Sequence, residues 1–500
     1  MADVPGGSGL DLWRLPGGVA RRAAASDAWT RVWIAVAGAF FGGVVAFAGL
    51  NALYLSIALI GCIFILRDFR IGVVLLIVLL PISRSTVFPH EMLGITGLNP
   101  LNLLLLGTLA AYLLQALPDG SFRRFVPGRL LWLYIVPIVV AGVLGSQHVG
   151  EIPRSLLDKL VEYENATGYF RDVVVKPLLF VLFALLVAAA VRRSEKPEKF
   201  LAPAFISIWI MVALVLGFVL KSGVSLNVLA RSEERLFLSP LGIYANELGR
   251  LYASAYALLL FTWVESKSPA LRATLFVSMG PVLVALLLTF SRGSYLGFIF
   301  VNVLFLVWRR NAKTLILFAL VAACGLLLLP EAVWDRVSTG LGQGADFGAN
   351  TLSAGRIEHI WLPLLPEIPK SPIWGHGLSS ILWSEPMRRA PGVAILAVGH
   401  PHNAYLGALL DMGVVGLVLL CSYFVHVWKG FRVLSVDPTV NPMLRGFFLG
   451  AAAGLASLLV SYTTDSSLTP GPEQSFLWLA IGMMYGHLSS RTHPAPGRSA

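Results

Sequence analysis

The chain has 500 residues, of which 56% are hydrophobic and only 13% are charged, and its mean hydropathy is +0.76. Soluble domains carry about a quarter charged residues, so this composition argues against a water-soluble globular protein. The net charge is +11, but the basic residues form no face interleaved with stacking aromatic side chains. No nucleic-acid partner is therefore expected, and the chain is predicted to be integral to a membrane.

Long apolar runs recur along the whole chain, each close to the ~20 residues that a helix needs to cross the hydrocarbon layer. They predict an all-α fold, a polytopic transmembrane helix bundle. The third run contains Pro81 and Arg84 and is also compatible with a re-entrant segment. The fourteen predicted spans are residues 32–49, 51–66, 71–88, 99–116, 130–146, 174–191, 200–220, 249–265, 273–290, 294–308, 314–330, 404–427, 446–463 and 475–489.

The loops between the spans set the expected orientation. If the N-terminus is cytoplasmic, most of the 38 lysines and arginines fall in cytoplasmic segments, as the positive-inside rule requires. Both termini are then cytoplasmic, and one large loop lies on the outer face. The predicted organisation is a tail at 1–31, helices 1–11 within 32–330, the large loop at 331–403, helices 12–14 within 404–489, and a tail at 490–500.

Several functions find no support in the sequence. Cys62, Cys324 and Cys421 lie far apart inside apolar runs, so they predict buried apolar side chains rather than a disulfide or metal site. No phosphate-binding loop of the ATP-hydrolysing type occurs, which disfavours an ATP-driven pump. Asp411 is the main carboxylate within a predicted span, and a proton or ion relay usually needs more.

Arg292 lies in Ser291-Arg292-Gly293, between two predicted spans joined by almost no loop. An arginine at the outer interface is either an anchor that reaches toward the headgroups or a ligand that grips phosphate with its two-pronged guanidinium group. Position alone leaves both interpretations open.

Arg356 lies in the large loop. Ser353 is a possible N-cap, and apolar residues at 357, 360, 361 and 364 form a helical stripe. The pattern predicts a short helix with Arg356 in its first turn, although most loop arginines are simply solvated.

The segment His400-Pro401-His402-Asn403 ends the large loop and opens a span. The positive end of a helix dipole disfavours an imidazolium ion, and a neutral imidazole can accept a proton from a hydroxyl group. His402 is therefore a candidate general base, with a plain helix cap as the alternative. A metal site is less favoured because no acidic or cysteine partner lies nearby in sequence.

Together these residues resemble the O-antigen ligase and polymerase superfamily of bacterial membrane proteins. The resemblance covers about residues 231–416, and its order and spacing carry more weight than any single motif. Arg235, ahead of Asn246, is a looser match. The matching positions are His402-Asn403 with Tyr405, Leu406, Leu410, Gly413 and Gly416, then Ser291-Arg292-Gly293, and Gly355-Arg356 with Trp361, Pro372, Gly375 and Gly377.

The resemblance implies a metal-independent, inverting glycosyl transfer without a cofactor, at the periplasmic face of the bacterial inner membrane. The donor would be a glycan on undecaprenyl diphosphate, held by Arg292 and Arg356, and His402 would deprotonate or orient the acceptor hydroxyl. In a ligase the acceptor is a lipid A-core sugar; in an O-antigen or exopolysaccharide polymerase it is another lipid-linked repeat. A solute or anion transporter is the third hypothesis. The expected substrate-binding residues are Arg235, Ser291, Asn403, Tyr405, Trp361 and His400.

Overall fold

The computed structural model describes residues 59–83, 99–118, 120–154, 163–223, 238–309, 331–338, 355–389, 398–464 and 467–492, with isolated positions elsewhere. Within these ranges the fold is all-α, as predicted; one two-residue antiparallel pair joins Glu91–Met92 to Ile95–Thr96. The main helices are α1 (Phe69–Leu79), α2 (Pro100–Ala116), α3 (Gly128–Ser146), α4 (Ala166–Arg192), α5 (Pro197–Ser222), α6 (Ala245–Glu265), α7 (Pro269–Leu287), α8 (Arg292–Arg309), α9 (Ala404–Val436), α10 (Pro442–Ser461) and α11 (Ser475–Thr492).

Six of these helices, α3, α4, α5, α7, α9 and α10, are long and apolar enough to cross a membrane. Polar side chains fix where several helices begin, because the first turn of a helix has backbone N–H groups without intrahelical acceptors. Asn99, Asn165, Ser268, Asn403 and Asn441 each accept at least one such N–H group at the start of α2, α4, α7, α9 and α10. Local sequence therefore determines these boundaries.

Glycines hold two pairs of helices in close contact. Gly446 and Gly450 of α10 face α6, where an added Cβ would lie 2.6 Å from the carbonyl oxygens of Phe261 and Ala257. Gly482 of α11 lies in the same way against Ala184 of α4. Spacing of small residues by four lets helix backbones approach closely in membranes, where packing replaces the hydrophobic effect as the driving force.

Three predicted spans cannot be compared fully with the structure. Residues 59–67 are helical, but most of the first two spans and the span at 314–330 lie outside the described residues. The third span is wrong as drawn: α1 has 11 residues and ends in a short turn, Leu80–Ile82. It covers roughly 17 Å, too little for a ~30 Å hydrocarbon layer, because Pro81 cannot continue the helix.

The predicted span at 404–427 is present, as part of a longer helix. Helix α9 runs on to Val436, and its backbone breaks at Gly413, with φ 65° and ψ −170°. The large loop fills the break: Val414 N–H donates to the Pro372 carbonyl at 2.9 Å, and His376 N–H donates to the Leu410 carbonyl at 2.8 Å. Asp411 accepts bonds from Ser380, so it faces the loop rather than the middle of the bilayer.

Arginine side chains at one end of the bundle pair with acidic and aromatic groups. Helices α6, α8 and α9 begin, and α10 ends, at the opposite end. At the first end Arg309 pairs with Glu265 at 2.9 Å, and the Arg432 guanidinium lies 4.6 Å from the centre of the Trp308 ring. Arginines and tryptophans thus gather at the end predicted to be cytoplasmic, while the compartment that each end faces stays a prediction.

The close contact between α6 and α10 gives a test of this packing. Gly450→Leu is expected to lower the free energy of unfolding by about 1–3 kcal/mol, because the new side chain must push the two backbones apart. Thermal unfolding of the purified protein in detergent measures the change. Gly217→Leu is the matched control, since nothing lies within 4 Å of a Cβ at that position; equal losses in both variants would contradict the packing described.

Candidate active site

The C-terminal end of α10, residues 459–464, is the point where the candidate residues meet; it is called the α10 terminus below. The start of α9 is attached to it by two hydrogen bonds. Ala404 N–H donates to the Tyr462 carbonyl at 2.9 Å, and the Tyr405 hydroxyl donates to the Leu459 carbonyl at 2.8 Å. The segment that carries His402 and Asn403 is therefore fixed against α10.

The start of α8 lies against the same terminus. The Ser461 hydroxyl donates to the Gly293 carbonyl at 3.1 Å. A Cβ at Gly293 would lie 2.9 Å from the Thr464 hydroxyl oxygen, so a side chain at this position would displace that hydroxyl. Arg292, the preceding residue, is half-buried and stands as the first residue of α8.

Arg356 reaches the α10 terminus from the large loop. Its guanidinium group donates a hydrogen bond to the Thr464 carbonyl. The last carbonyls of a helix lack intrahelical donors and carry partial negative charge, which suits a cationic partner. Ser353 accepts the Ile357 N–H at 3.3 Å, so the predicted short helix and its cap are both present.

A π-helical turn, Ile357–Trp361, follows Arg356 directly. Pro363 lies just beyond it, and proline cannot donate to the turn before it. Isolated π turns are frequent at functional sites. This turn directs Trp361 back toward the histidine segment, where its indole N–H donates to the Pro401 carbonyl at 2.9 Å.

His402 adopts a backbone conformation that is unusual for a residue with a side chain, with φ at 54°. Its N–H donates to Nδ1 of His400 at 3.3 Å, and the two rings lie 4.1 Å apart between centroids. Asn403 then caps α9 by accepting the N–H groups of Tyr405 and Leu406, both at 3.1 Å. Left-handed backbone in a non-glycine residue is costly and concentrates at active sites. Phe290, two residues before Arg292, has φ at 47°.

These contacts give the site a consistent electrostatic character. Two helix N-termini, those of α8 and α9, lie around one short segment, together with the Arg356 guanidinium group and the backbone of Arg292 at the start of α8. Helix N-termini and arginines both favour phosphate-type anions. The site is therefore suited to a phosphorylated ligand beside an imidazole.

The predicted substrate-binding residues differ in the contacts that their side chains make. The polar atoms of Ser291, Trp361 and Tyr405 are engaged by neighbouring protein atoms, so the geometry favours a positioning role for them. His400 contacts His402, as described above. Arg235 lies outside the described residues. Among the described positions, no group of three or more His, Cys, Asp or Glu side chains is placed to hold a metal ion.

Sequence patterns did not point to Ser461, Tyr462 or Thr464. These residues lie at the end of an apolar span, carry no charge, and act largely through backbone carbonyls. Their partners are far away in sequence: Arg356 is separated from Thr464 by 108 positions. No local signal could have identified them.

The fold is that of a polytopic membrane protein, and comparison with known proteins gives two matches that agree with the motifs. A family described as O-antigen ligase matches residues 274–421, a range that contains Arg292, Arg356 and His402. An O-antigen ligase of Pseudomonas aeruginosa is 26% identical over 333 residues, which cover 64% of this chain and 72% of that protein. Both matches are to O-antigen ligases, the family that the motifs indicated.

The N-cap of α9 gives a prediction for the site. Asn403→Ala is expected to lower the free energy of unfolding by about 1 kcal/mol, because two backbone N–H groups lose their acceptor. Asn441→Ala, at the start of α10 on the other end of the bundle, removes a comparable cap and serves as the reference. Thermal unfolding in detergent compares the two; an unchanged midpoint for Asn403→Ala would show that its cap does not stabilise α9.

Proposed function

We propose that this protein is an O-antigen ligase that transfers a glycan from undecaprenyl diphosphate to a hydroxyl group of lipid A-core at the periplasmic face of the inner membrane. The main support is that the start of α8, which carries Arg292, the Arg356 side chain and the start of α9, which follows His402, all contact the α10 terminus. The match to the O-antigen ligase family and the similarity to the ligase of Pseudomonas aeruginosa support the same assignment.

The proposed reaction is a single displacement that inverts the anomeric carbon of the donor sugar. The acceptor oxygen forms a bond to that carbon as the bond to the diphosphate oxygen breaks. His402 takes the proton from the acceptor hydroxyl, acting as a general base. The electron pair of the broken bond leaves with undecaprenyl diphosphate, so no external energy source, cofactor or metal ion is required.

Arg292 and Arg356 stabilise the charge that develops on the departing diphosphate. Fixed donors aimed at growing charge supply much of the rate enhancement in such reactions. The hydrogen bond from Arg356 to Thr464 holds one guanidinium group in place before substrate arrives. The N-termini of α8 and α9 add to the positive potential.

Loss of the imidazole tests the catalytic role. In a strain that lacks the native gene, His402→Ala is expected to reduce the rate of glycan attachment by at least ~100-fold, as for removal of a general base. The measurement is lipopolysaccharide analysis by gel, with immunoblotting of the membrane fraction for insertion. His426→Gln is the control, because His426 bonds Arg129 at the opposite end of the bundle and should retain wild-type attachment.

The glycans that accumulate in the strain carrying His402→Ala distinguish a ligase from a polymerase. Full-length polymer that accumulates on the lipid carrier, unattached to core, is the expected result. Core capped with a single repeat would indicate a polymerase instead, and normal lipopolysaccharide with His402→Ala would refute the catalytic proposal.

The proposed orientation gives a separate prediction. Glu164 and Lys196 are exposed and flank the two ends of α4. With Cys62, Cys324 and Cys421 replaced, Glu164→Cys should react with a membrane-impermeant maleimide in cells whose outer membrane is permeabilised. Lys196→Cys should react only after the inner membrane is opened. The reverse labelling pattern would place the candidate site in the cytoplasm, where the proposed donor is not presented to lipid A-core.

A further inference from the structure

A pocket lies beside the proposed active site, between the large loop, α9 and the segment after α3. Its volume is about 160 Å³. Pockets for drug-sized ligands occupy roughly 300–1,000 Å³, so this one has room for about one ring. Its lining residues are His148, Glu151, Leu364, Glu367, Lys370, His376, Ser380, Ile381, Trp383, Ser384, Arg388 and Leu410.

Trp383 provides the main indication that the pocket takes a ligand. Its side chain is only 4% exposed, with His148 stacked on its ring at 5.5 Å. Its indole N–H is fully buried and has no hydrogen-bond acceptor among the described residues. Buried tryptophan N–H groups ordinarily have a partner, so a bound molecule with an acceptor oxygen would satisfy this one.

The charges at the pocket are already balanced. Lys370 donates to Glu367 and Glu385, both at 2.8 Å, and these bonds raise the pKa of Lys370. Arg388 lies 3.2 Å from Glu151. With each cation paired to a carboxylate, the pocket offers an anion little net attraction. It still presents carboxylate oxygens that accept from hydroxyl groups.

The backbone near the pocket is unusual as well. Ser379 has φ at 62°, one of three non-glycine residues with positive φ in the described part of the chain, and the other two are Phe290 and His402. Ser380, the next residue, is held by Asp411 of α9 through its N–H at 2.9 Å and its hydroxyl at 2.7 Å. The pocket wall is thus tied to the helix that carries the candidate base.

The pocket stands close to the proposed reaction centre. Leu410 lines it and lies two turns along α9 from Asn403, roughly 10 Å. At that separation the pocket would hold a unit of the glycan other than the reacting sugar.

We propose that this pocket is a subsite for one neutral sugar unit of a glycan, whose oxygen accepts the Trp383 N–H and whose hydroxyls donate to Glu151 and Glu367. The proposal extends the proposed function by adding a specificity site for either the donor glycan or the acceptor glycan. A neutral sugar fits because it combines acceptor and donor groups on one ring and carries no charge that the paired residues would have to offset.

Binding is tested first without any transfer reaction. The purified full chain in lipid nanodiscs is examined by saturation-transfer difference NMR with methyl glycosides of glucose, galactose, rhamnose and N-acetylglucosamine. At least one glycoside should receive saturation from the wild type and equally from His402→Ala, because that histidine lies outside the pocket. Trp383→Phe, which keeps a ring and removes the N–H, should weaken binding about 2- to 10-fold, as loss of one hydrogen bond does.

Two further variants separate binding from misfolding. Glu151→Gln changes an exposed carboxylate at the rim and should also weaken binding. Trp374→Phe is the matched control: Trp374 is in the same loop, is 62% exposed and does not line the pocket. No saturation of any glycoside, or equal saturation of the wild type and Trp383→Phe, would overturn the subsite and leave a water-filled cavity.

Steady-state kinetics of glycan transfer then show whether the donor or the acceptor supplies the sugar unit that the pocket binds. Lipid-linked donor and lipid A-core acceptor are varied separately with the wild type and Trp383→Phe. The KM for one of them should rise about 2- to 10-fold with kcat unchanged, and that substrate carries the bound unit. Glycoside binding by a protein that shows no transfer would uphold the subsite and reject the proposed function; unchanged KM for both substrates would reject a role for the subsite in transfer.

Discussion

The carbonyl groups at the end of α10 are the constraint on which the candidate site depends. A helix must leave its last carbonyls without intrahelical donors, and here those carbonyls receive the Ala404 N–H, the Tyr405 hydroxyl and the Arg356 guanidinium. Three chain segments that are distant in sequence, the end of α10, the start of α9 and the large loop, thereby meet at one point. The small residue Gly293 lets a fourth segment, the start of α8, reach the same place.

This arrangement explains why the site can be positively charged without being loosely held. A hydrogen bond to the Thr464 carbonyl positions the Arg356 guanidinium group at the site. Asn403 similarly starts α9 with a neutral amide, which leaves the helix dipole uncompensated at the site. In the proposed reaction both features favour a diphosphate leaving group. The left-handed backbone at His402 is maintained because its neighbours on both sides are bonded to fixed partners.

Local sequence signals predicted most helices and part of the candidate site. The features that were not predicted depend on contacts between segments far apart in the chain. Apolar runs located most spans, and the capping pattern located the helix after Ser353 and the start of α9, because such features depend on neighbouring residues only. The length of α1 and the break at Gly413 were not predicted: the first depends on where Pro81 ends the helix, and the second on loop residues near Pro372 that fill the break. The role of the α10 terminus and the pocket under Trp383 could not be predicted, since they are assembled from segments far apart in the chain.

The central claim is that Arg292, Arg356 and His402 surround one lipid diphosphate. The most direct measurement is an electron cryo-microscopy structure of the protein in nanodiscs with undecaprenyl diphosphate bound. The account predicts phosphate oxygens about 3 Å from both guanidinium groups, with the imidazole facing the terminal phosphate. Diphosphate bound away from the α10 terminus, with neither arginine in contact, would contradict it.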